Sequence, residues 1–182
     1  CCSRTMFHPT ALETTRTAVE MAKKNGAIIA IDANIRPLRW SSEKYCRETI
    51  ASFFQDANIL KLTDEELFFL TETNSIEAGL EALKPLNLPI VLVTVGAKGA
   101  YAVLNGDVMH VPVEQVVPVD TTGAGDAFMA GVLRYVHYNG LPTTKESLFD
   151  CVAFGNKLGA LAATKAGALT ALPRYDEIKD LL

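Results

Sequence analysis

The chain has 182 residues, 49% of them apolar and 21% charged, which suffices for a domain with a buried core and excludes a disordered polymer. Its 17 basic and 21 acidic residues leave a net charge of −4, with no basic stripe that would suit a nucleic acid. No apolar run is long enough for a membrane span, and no signal-peptide pattern is present.

Pro9 to Asn25 carries apolar residues at helical spacing and stops at Asn25-Gly26. Ala27 to Ala33 is an apolar run but for Asp32, the pattern of a strand buried on both faces. Ser41-Ser42 precedes a helical pattern with Tyr45, Ile50, Phe53, Phe54 and Ala57, and Asn58 to Leu62 reads as a short strand. Thr63 is a natural helix N-cap, with Glu66 at the capping-box position. Ser75 to Leu86 is helical, and Pro89 to Val95 is a second apolar strand. Gly99 to Val113 forms two strands around Asn105-Gly106, a hairpin signal. The Val-rich segment Val116 to Val119 reads as extended and leads into a helix that reaches Tyr138. A further helix covers Lys145 to Thr164, and Pro173 starts a short last one. Alternation of helices with Val/Ile-rich strands gives an α/β class with a mostly parallel sheet, in which 1–182 forms one domain or most of one.

Ligands of such sheets bind at the carboxyl ends of the strands. Asp32 and Asn34, then Lys61, then Thr94 and Gly96, then Asp120 fall at four such ends in this reading. The four cysteines form no Cys-x-x-Cys pair and the three histidines lie far apart in sequence. Even the adjacent Cys1 and Cys2 are therefore expected to be buried structural thiols of a cytosolic protein, not metal or redox ligands.

The most informative stretch is Asp120-Thr121-Thr122-Gly123-Ala124-Gly125-Asp126-Ala127-Phe128. Gly123 and Gly125 let the backbone approach a ligand closely, and a helix begins just past them. Free N–H groups and the positive dipole end of that helix make an anion hole, and Asp126 places a carboxylate inside it. Such a pairing suits transfer of phosphate to a hydroxyl. There is no Gly-Lys-Ser/Thr, so the loop is not a Walker A loop.

The run resembles the Asp-Thr-x-Gly-Ala-Gly-Asp signature of the PfkB (ribokinase-like) family of carbohydrate and nucleoside kinases, at every position. The resemblance implies a ribokinase-like fold with helices on both faces of the sheet. It implies that Asp126 is the base that activates the sugar hydroxyl, and that the amides of Gly123, Ala124 and Gly125 stabilise the transferring γ-phosphate. Asp32-Ala33-Asn34-Ile35-Arg36-Pro37-Leu38-Arg39-Trp40 resembles the Asp-x-Asn-x-Arg stretch of fructokinases and near relatives, which assigns Asn34 and Arg36 to the sugar. Arg36 paired with a carboxylate is the alternative. Lys61 to Glu66 aligns with the family's Asn-x-x-Glu motif, Thr63 standing for the Asn, and implies that Glu66 helps place Mg²⁺. A capping box explains Thr63 and Glu66 equally well, and both hold if Glu66 acts on the ion through water.

Val93 to Gly99, with Thr94, Gly96 and Gly99, resembles the nucleotide-side turn, and Lys61 is assigned to the same side. Asn156 matches a position near adenine, and Ala166-Gly167-Ala168 matches the loop that closes that pocket. By the same resemblance Asp120 and Thr122 are ligands of a monovalent cation such as K⁺. The expected activity is ATP- and Mg²⁺-dependent phosphorylation of a sugar, D-fructose first. 2-Keto-3-deoxygluconate and aminoimidazole riboside are the alternatives within the class, and a non-catalytic scaffold is the alternative outside it. The resemblance covers nearly all of the chain and the C-terminal two thirds of the family pattern. The chain thus reads as a piece of a longer protein, without the first strands, an acidic sugar-binding residue and the β-sheet lid. Many members pair through that lid, so a full-length homodimer is allowed for and the oligomeric state is left open.

Overall fold

A computed structural model describes residues 1–179. Its five strands form one sheet in the order β1-β2-β3-β4-β5: β1 Ala30–Asp32, β2 Ile59–Thr63, β3 Ile90–Thr94, β4 Ala100–Leu104 and β5 Asp107–Val111. β1 and β2 run parallel, with Asp32 opposite Lys61. β4 and β5 are sheet neighbours joined by a two-residue turn, hence antiparallel, so the sheet is mixed and not mostly parallel. Asn105 (φ 50°) and Gly106 (φ 91°) both take the left-handed backbone that such a turn needs. The chain divides into two compact units, Cys1–Val93 with Asn105–Asp107, and Thr94–Leu104 with the chain from Val108 onward.

In the first unit, helix α1 (Pro9–Lys24) starts with proline at its first turn, where no N–H is required, and ends on Lys23 and Lys24, which favour its negative dipole end. The Ala27 N–H returns to Ala22 O at 2.9 Å. That recruitment to the helix end is why β1 is shorter than the apolar run Ala27–Ala33. Helix α2 (Glu43–Ala51) begins at Ser42, whose hydroxyl accepts the Tyr45 N–H, and it stops before Phe53 and Phe54, which plug the core at 1% exposure each. Thr63 and Glu66 close a complete capping box at the head of α3 (Asp64–Thr71). Ser75 caps α4 (Ile76–Leu83), where Gly79 lies against Leu67; a Cβ there would come within 2.6 Å of that side chain. Ile31, Ile59, Leu60, Leu62, Ile90 and Leu92 fill the core around the strands.

In the second unit, α5 (Ala124–Asn139) packs along α6 (Lys145–Ala163) through small residues. A Cβ on Gly131 would meet Gly155 Cα at 2.9 Å, and one on Gly159 would meet Ala124 O at 3.1 Å. A single-turn helix, α7 (Tyr175–Ile178), follows. The Val116–Val119 segment is not a strand, and Val117 is 84% exposed. Pro118 has no N–H to give a ladder. The backbone turns instead to the end of α6, where Ala163 O accepts both Val119 N–H (2.8 Å) and Asp120 N–H (3.2 Å). Asp120 therefore does not stand at a strand end, and Lys61 lies in the middle of β2, so two strand ends, those of β1 and β3, carry the expected polar groups. Among the described residues no helix is long and apolar enough to cross a membrane.

Candidate active site

The signature loop is built by its own first residue. Asp120 accepts the Thr122 N–H at 2.9 Å with one oxygen and the Gly167 N–H at 3.0 Å with the other. The Thr122 hydroxyl and amide, then the Gly167 amide, hold its carboxyl below the usual aspartate range. Asp120 thus joins two loops 47 residues apart in sequence. Gly123 completes the junction: at φ 83° it is the N-cap of α5, and a Cβ there would lie 3.3 Å from Ala168 Cα. Gly167, at φ 85°, takes the left-handed backbone on the opposite side.

Of the three amides expected to face a phosphoryl group, Ala124 N–H donates to Thr121 O at 3.1 Å and shapes the turn. The amides of Gly123, Gly125 and Asp126 take no backbone acceptor among the described residues. Asp126 is the third residue of α5, in its first turn, and its side chain is exposed. A carboxylate and open amides therefore stand together at one helix N-terminus.

Asn156 on α6 is buried, and its Nδ2 donates to Val111 O (3.0 Å) and Pro112 O (3.3 Å). It lines a cavity of ≈ 230 Å³ with Pro112, Val113, Glu114, Val116 and Lys157 among its walls. The turn Gly96–Lys98 is tied to the same stretch of chain. Gln115 Nε2 donates to Ala97 O at 2.7 Å, His110 Nε2 lies 2.8 Å from Lys98 O, and a Cβ on Gly99 would meet Val111 O at 2.2 Å. Gly96, at φ 58°, has open space around it and is required for conformation only. Neither His110 nor Gln115 stands in a sequence motif, and both reach their partners across a gap that only the fold closes.

In the first unit the loop after β1 carries Asn34, at φ 40°, and Arg36, whose exposed side chain returns Nη1 to Ile35 O at 2.7 Å. No ion pair is formed by Arg36 among the described residues. Lys61, expected on the nucleotide side, is buried and gives its ammonium to Asp32 at 3.1 Å. Glu66, expected near Mg²⁺, accepts Ile35 N–H (2.7 Å) on Oε1 and Thr63 N–H (2.9 Å) on Oε2. The capping role is therefore formed, and an action of Glu66 on an ion would pass through water. Thr94 ends β3. Among the described residues no group of three or more His, Cys, Asp or Glu side chains could hold a metal ion. Cys1 is exposed and Cys2 half-buried, against the expectation that both are buried thiols. Burial instead pushes the Cys46 thiol up to about 11 and that of Cys151 up to about 12, so these two are the inert ones.

Residues 4–174 match the family described as pfkB family carbohydrate kinase. The fructokinase of Klebsiella pneumoniae is 37% identical over 179 residues, which are 98% of this chain and 58% of that protein. The fructokinase of Vibrio alginolyticus is 34% identical over 97% of this chain and 58% of its own length. The chain thus spans little more than half the length of these relatives. Among solved structures, the fructokinase of Vibrio cholerae O395 in its fructose-, ADP- and calcium-bound form superposes with a TM-score of 0.93 at 36% identity, over 100% of this chain and 59% of that one. Aminoimidazole riboside kinase of Salmonella enterica, complexed with aminoimidazole riboside and an ATP analogue, gives 0.91 at 28% identity over 99% of this chain and 60% of that one. The fold is ribokinase-like, and the family match spans the signature loop, the loop it is tied to and the wall of the cavity together: this chain belongs to the pfkB family of carbohydrate kinases.

Proposed function

We propose that the polypeptide containing this chain transfers the γ-phosphoryl group of ATP to a hydroxyl of a sugar. The observation that carries this reading is the head of α5, where Asp126 stands in the first turn beside amides that no backbone acceptor occupies. Asp126 takes the proton of the sugar hydroxyl as its oxygen attacks phosphorus. The bond from phosphorus to the ADP oxygen breaks, and the Gly123 and Gly125 amides neutralise charge on the phosphoryl oxygens. The Ala124 amide serves the turn that aims them. Mg²⁺ bound to the ATP phosphates would supply further charge neutralisation. Asp120 and Thr122 offer carboxylate and hydroxyl oxygens, the donor type that a monovalent cation takes. The ≈ 230 Å³ cavity beside Asn156 is assigned to the adenine base.

D-Fructose is the acceptor we favour. Its support is the set of fructokinase relatives at 34–37% identity and the fructose-bound neighbour at a TM-score of 0.93. The aminoimidazole riboside kinase structure, at 28% identity, makes that riboside the second candidate. The test is initial-rate turnover on fructose, 2-keto-3-deoxygluconate and aminoimidazole riboside, with wild type and Asp126→Asn. Fructose is expected to give the highest kcat/KM, and the substitution to lower kcat by about 10²–10⁴. Wild-type turnover by the variant would remove Asp126 as the base. ATP binding without turnover of any sugar would point to a scaffold.

A further inference from the structure

Glu66 is only 9% exposed, and its two oxygens serve two segments. The Thr63 amide lies three residues away and belongs to the helix cap; the Ile35 amide lies 31 residues away, in the loop after β1. That loop is fixed on both sides of Asn34. Before it, Ala33 N–H donates to Lys61 O at 3.0 Å, and the Ser3 hydroxyl donates to Ala33 O. After it, Ile35 N–H is held by Glu66. Between these fixings Asn34 keeps φ 40°, a left-handed backbone that asparagine tolerates better than most residues. Arg36 emerges directly from the clamp, its guanidinium steadied on Ile35 O. A ligand of Mg²⁺ must stand open to an ion that keeps several waters of its own, whereas this carboxylate is buried and aimed at two amides.

We propose that Glu66 is a positioning residue: through the Ile35 amide it fixes Asn34 and aims Arg36, and so sets affinity for the sugar. This rests on the kinase reading and on the assignment of Asn34 and Arg36 to the sugar. Glu66→Gln offers one acceptor and one donor, so either the Ile35 or the Thr63 amide loses its partner. Loss of a charge-assisted bond of this kind corresponds to about 10- to 100-fold faster amide exchange at the orphaned position. The KM for the sugar is expected to rise about 10-fold, on the scale of one such bond. Half-saturation by Mg²⁺ should stay within about twofold, because no metal bond is touched. Arg36→Lys should raise the same KM, and the double variant should be no worse than the worse single one, because one residue acts through the other.

A rise in Mg²⁺ half-saturation with sugar KM and Ile35 exchange unchanged would overturn the proposal. Should Glu66→Gln fail to fold, exchange at Ile35 and Thr63 in the unaltered protein decides. With Mg²⁺ and a non-hydrolysable ATP analogue both amides should stay protected, and loss of protection would show the carboxylate leaving them for the ion. A polypeptide that phosphorylates no sugar defeats the kinase reading alone. The exchange measurement needs no turnover and still upholds or overturns the clamp.

Discussion

Replacing Lys61 by Met separates two readings of this residue. Its ammonium lies 3.1 Å from Asp32, with side-chain exposures of 5% and 11%. At that distance the attraction is about 5 kcal/mol at an effective dielectric of about 20, and most of it offsets the cost of desolvating both charges. The intact pair thus contributes little net stability. Lys61→Met keeps the stem but strands the Asp32 carboxylate in a buried place, at a cost of about 3–5 kcal/mol. At about 2–4 °C per kcal/mol for a chain of this size, Tm should fall by about 6–20 °C. The double variant Lys61→Met/Asp32→Leu should recover most of that loss, since neither charge remains. Circular-dichroism melting of wild type, Lys61→Met, Asp32→Leu and the double variant gives the coupling, and the KM for ATP should stay within about twofold in the double variant, because Lys61 is then not a nucleotide ligand. The reasoning fails if Lys61→Met melts like wild type while its KM for ATP rises about 10-fold.

Gly123→Ala places a Cβ 3.3 Å from Ala168 Cα and 3.4 Å from Ala168 O, on a backbone at φ 83°. The strain is about 1–3 kcal/mol, and since a misplacement of about 1 Å costs about 10²-fold, a smaller shift of the adjacent amides should lower kcat by about 10-fold. Melting and turnover of the one variant check both, and a stable variant with wild-type kcat would show that the contact with Ala168 does not set the amide positions. Asp120 gives a pH signature. Its folded value is held below the ordinary 3.8 by Thr122 and Gly167, so its contribution is complete above that value and is lost as pH falls through the lower folded value. The Tm gap between wild type and Asp120→Asn should therefore be constant from neutral pH down to the ordinary aspartate range and close below it. A gap that persists in strong acid would exclude the carboxylate as its source.

Features that depend on a few neighbouring residues were legible. Ser42, Thr63 with Glu66, and Ser75 each cap the helix that their side chains suit, and Asn105-Gly106 turns the hairpin, because in each case donor and acceptor lie within four residues. Val116–Val119 misled because β propensity describes a side chain on a pleated surface, and this segment has Pro118 and a helix end for a neighbour. The first apolar run lost its start to the end of α1, a competition that the apolar pattern of Ala27–Ala33 does not show. The motif located the residues of the candidate site but not their partners. That Lys61 would find Asp32 and Glu66 would find Ile35 depends on β1 lying beside β2, a pairing between segments about 30 residues apart.

The signature holds two aspartates six residues apart, and under the proposed function their surroundings suit them to different tasks. Asp120 has both oxygens on amides and a lowered pKa, so it is a fixed brace between two loops. Asp126 is exposed, and among the described residues no hydrogen bond or ion pair engages its carboxylate. A group that is to accept a proton from substrate must be free to meet it, whereas a group that sets geometry must not move. The brace also explains why the loop begins with an acid that is not at the end of a strand. With Val116–Val119 outside the sheet, no ladder holds the chain as it enters α5. Ala163 O, the Thr122 and Gly167 amides and the contact of Gly123 with Ala168 take over that task. The same contacts couple the open amides at the head of α5 to the 166–168 loop. A substitution in that loop, far along the chain from Asp126, should therefore be read first in kcat and only second in nucleotide affinity.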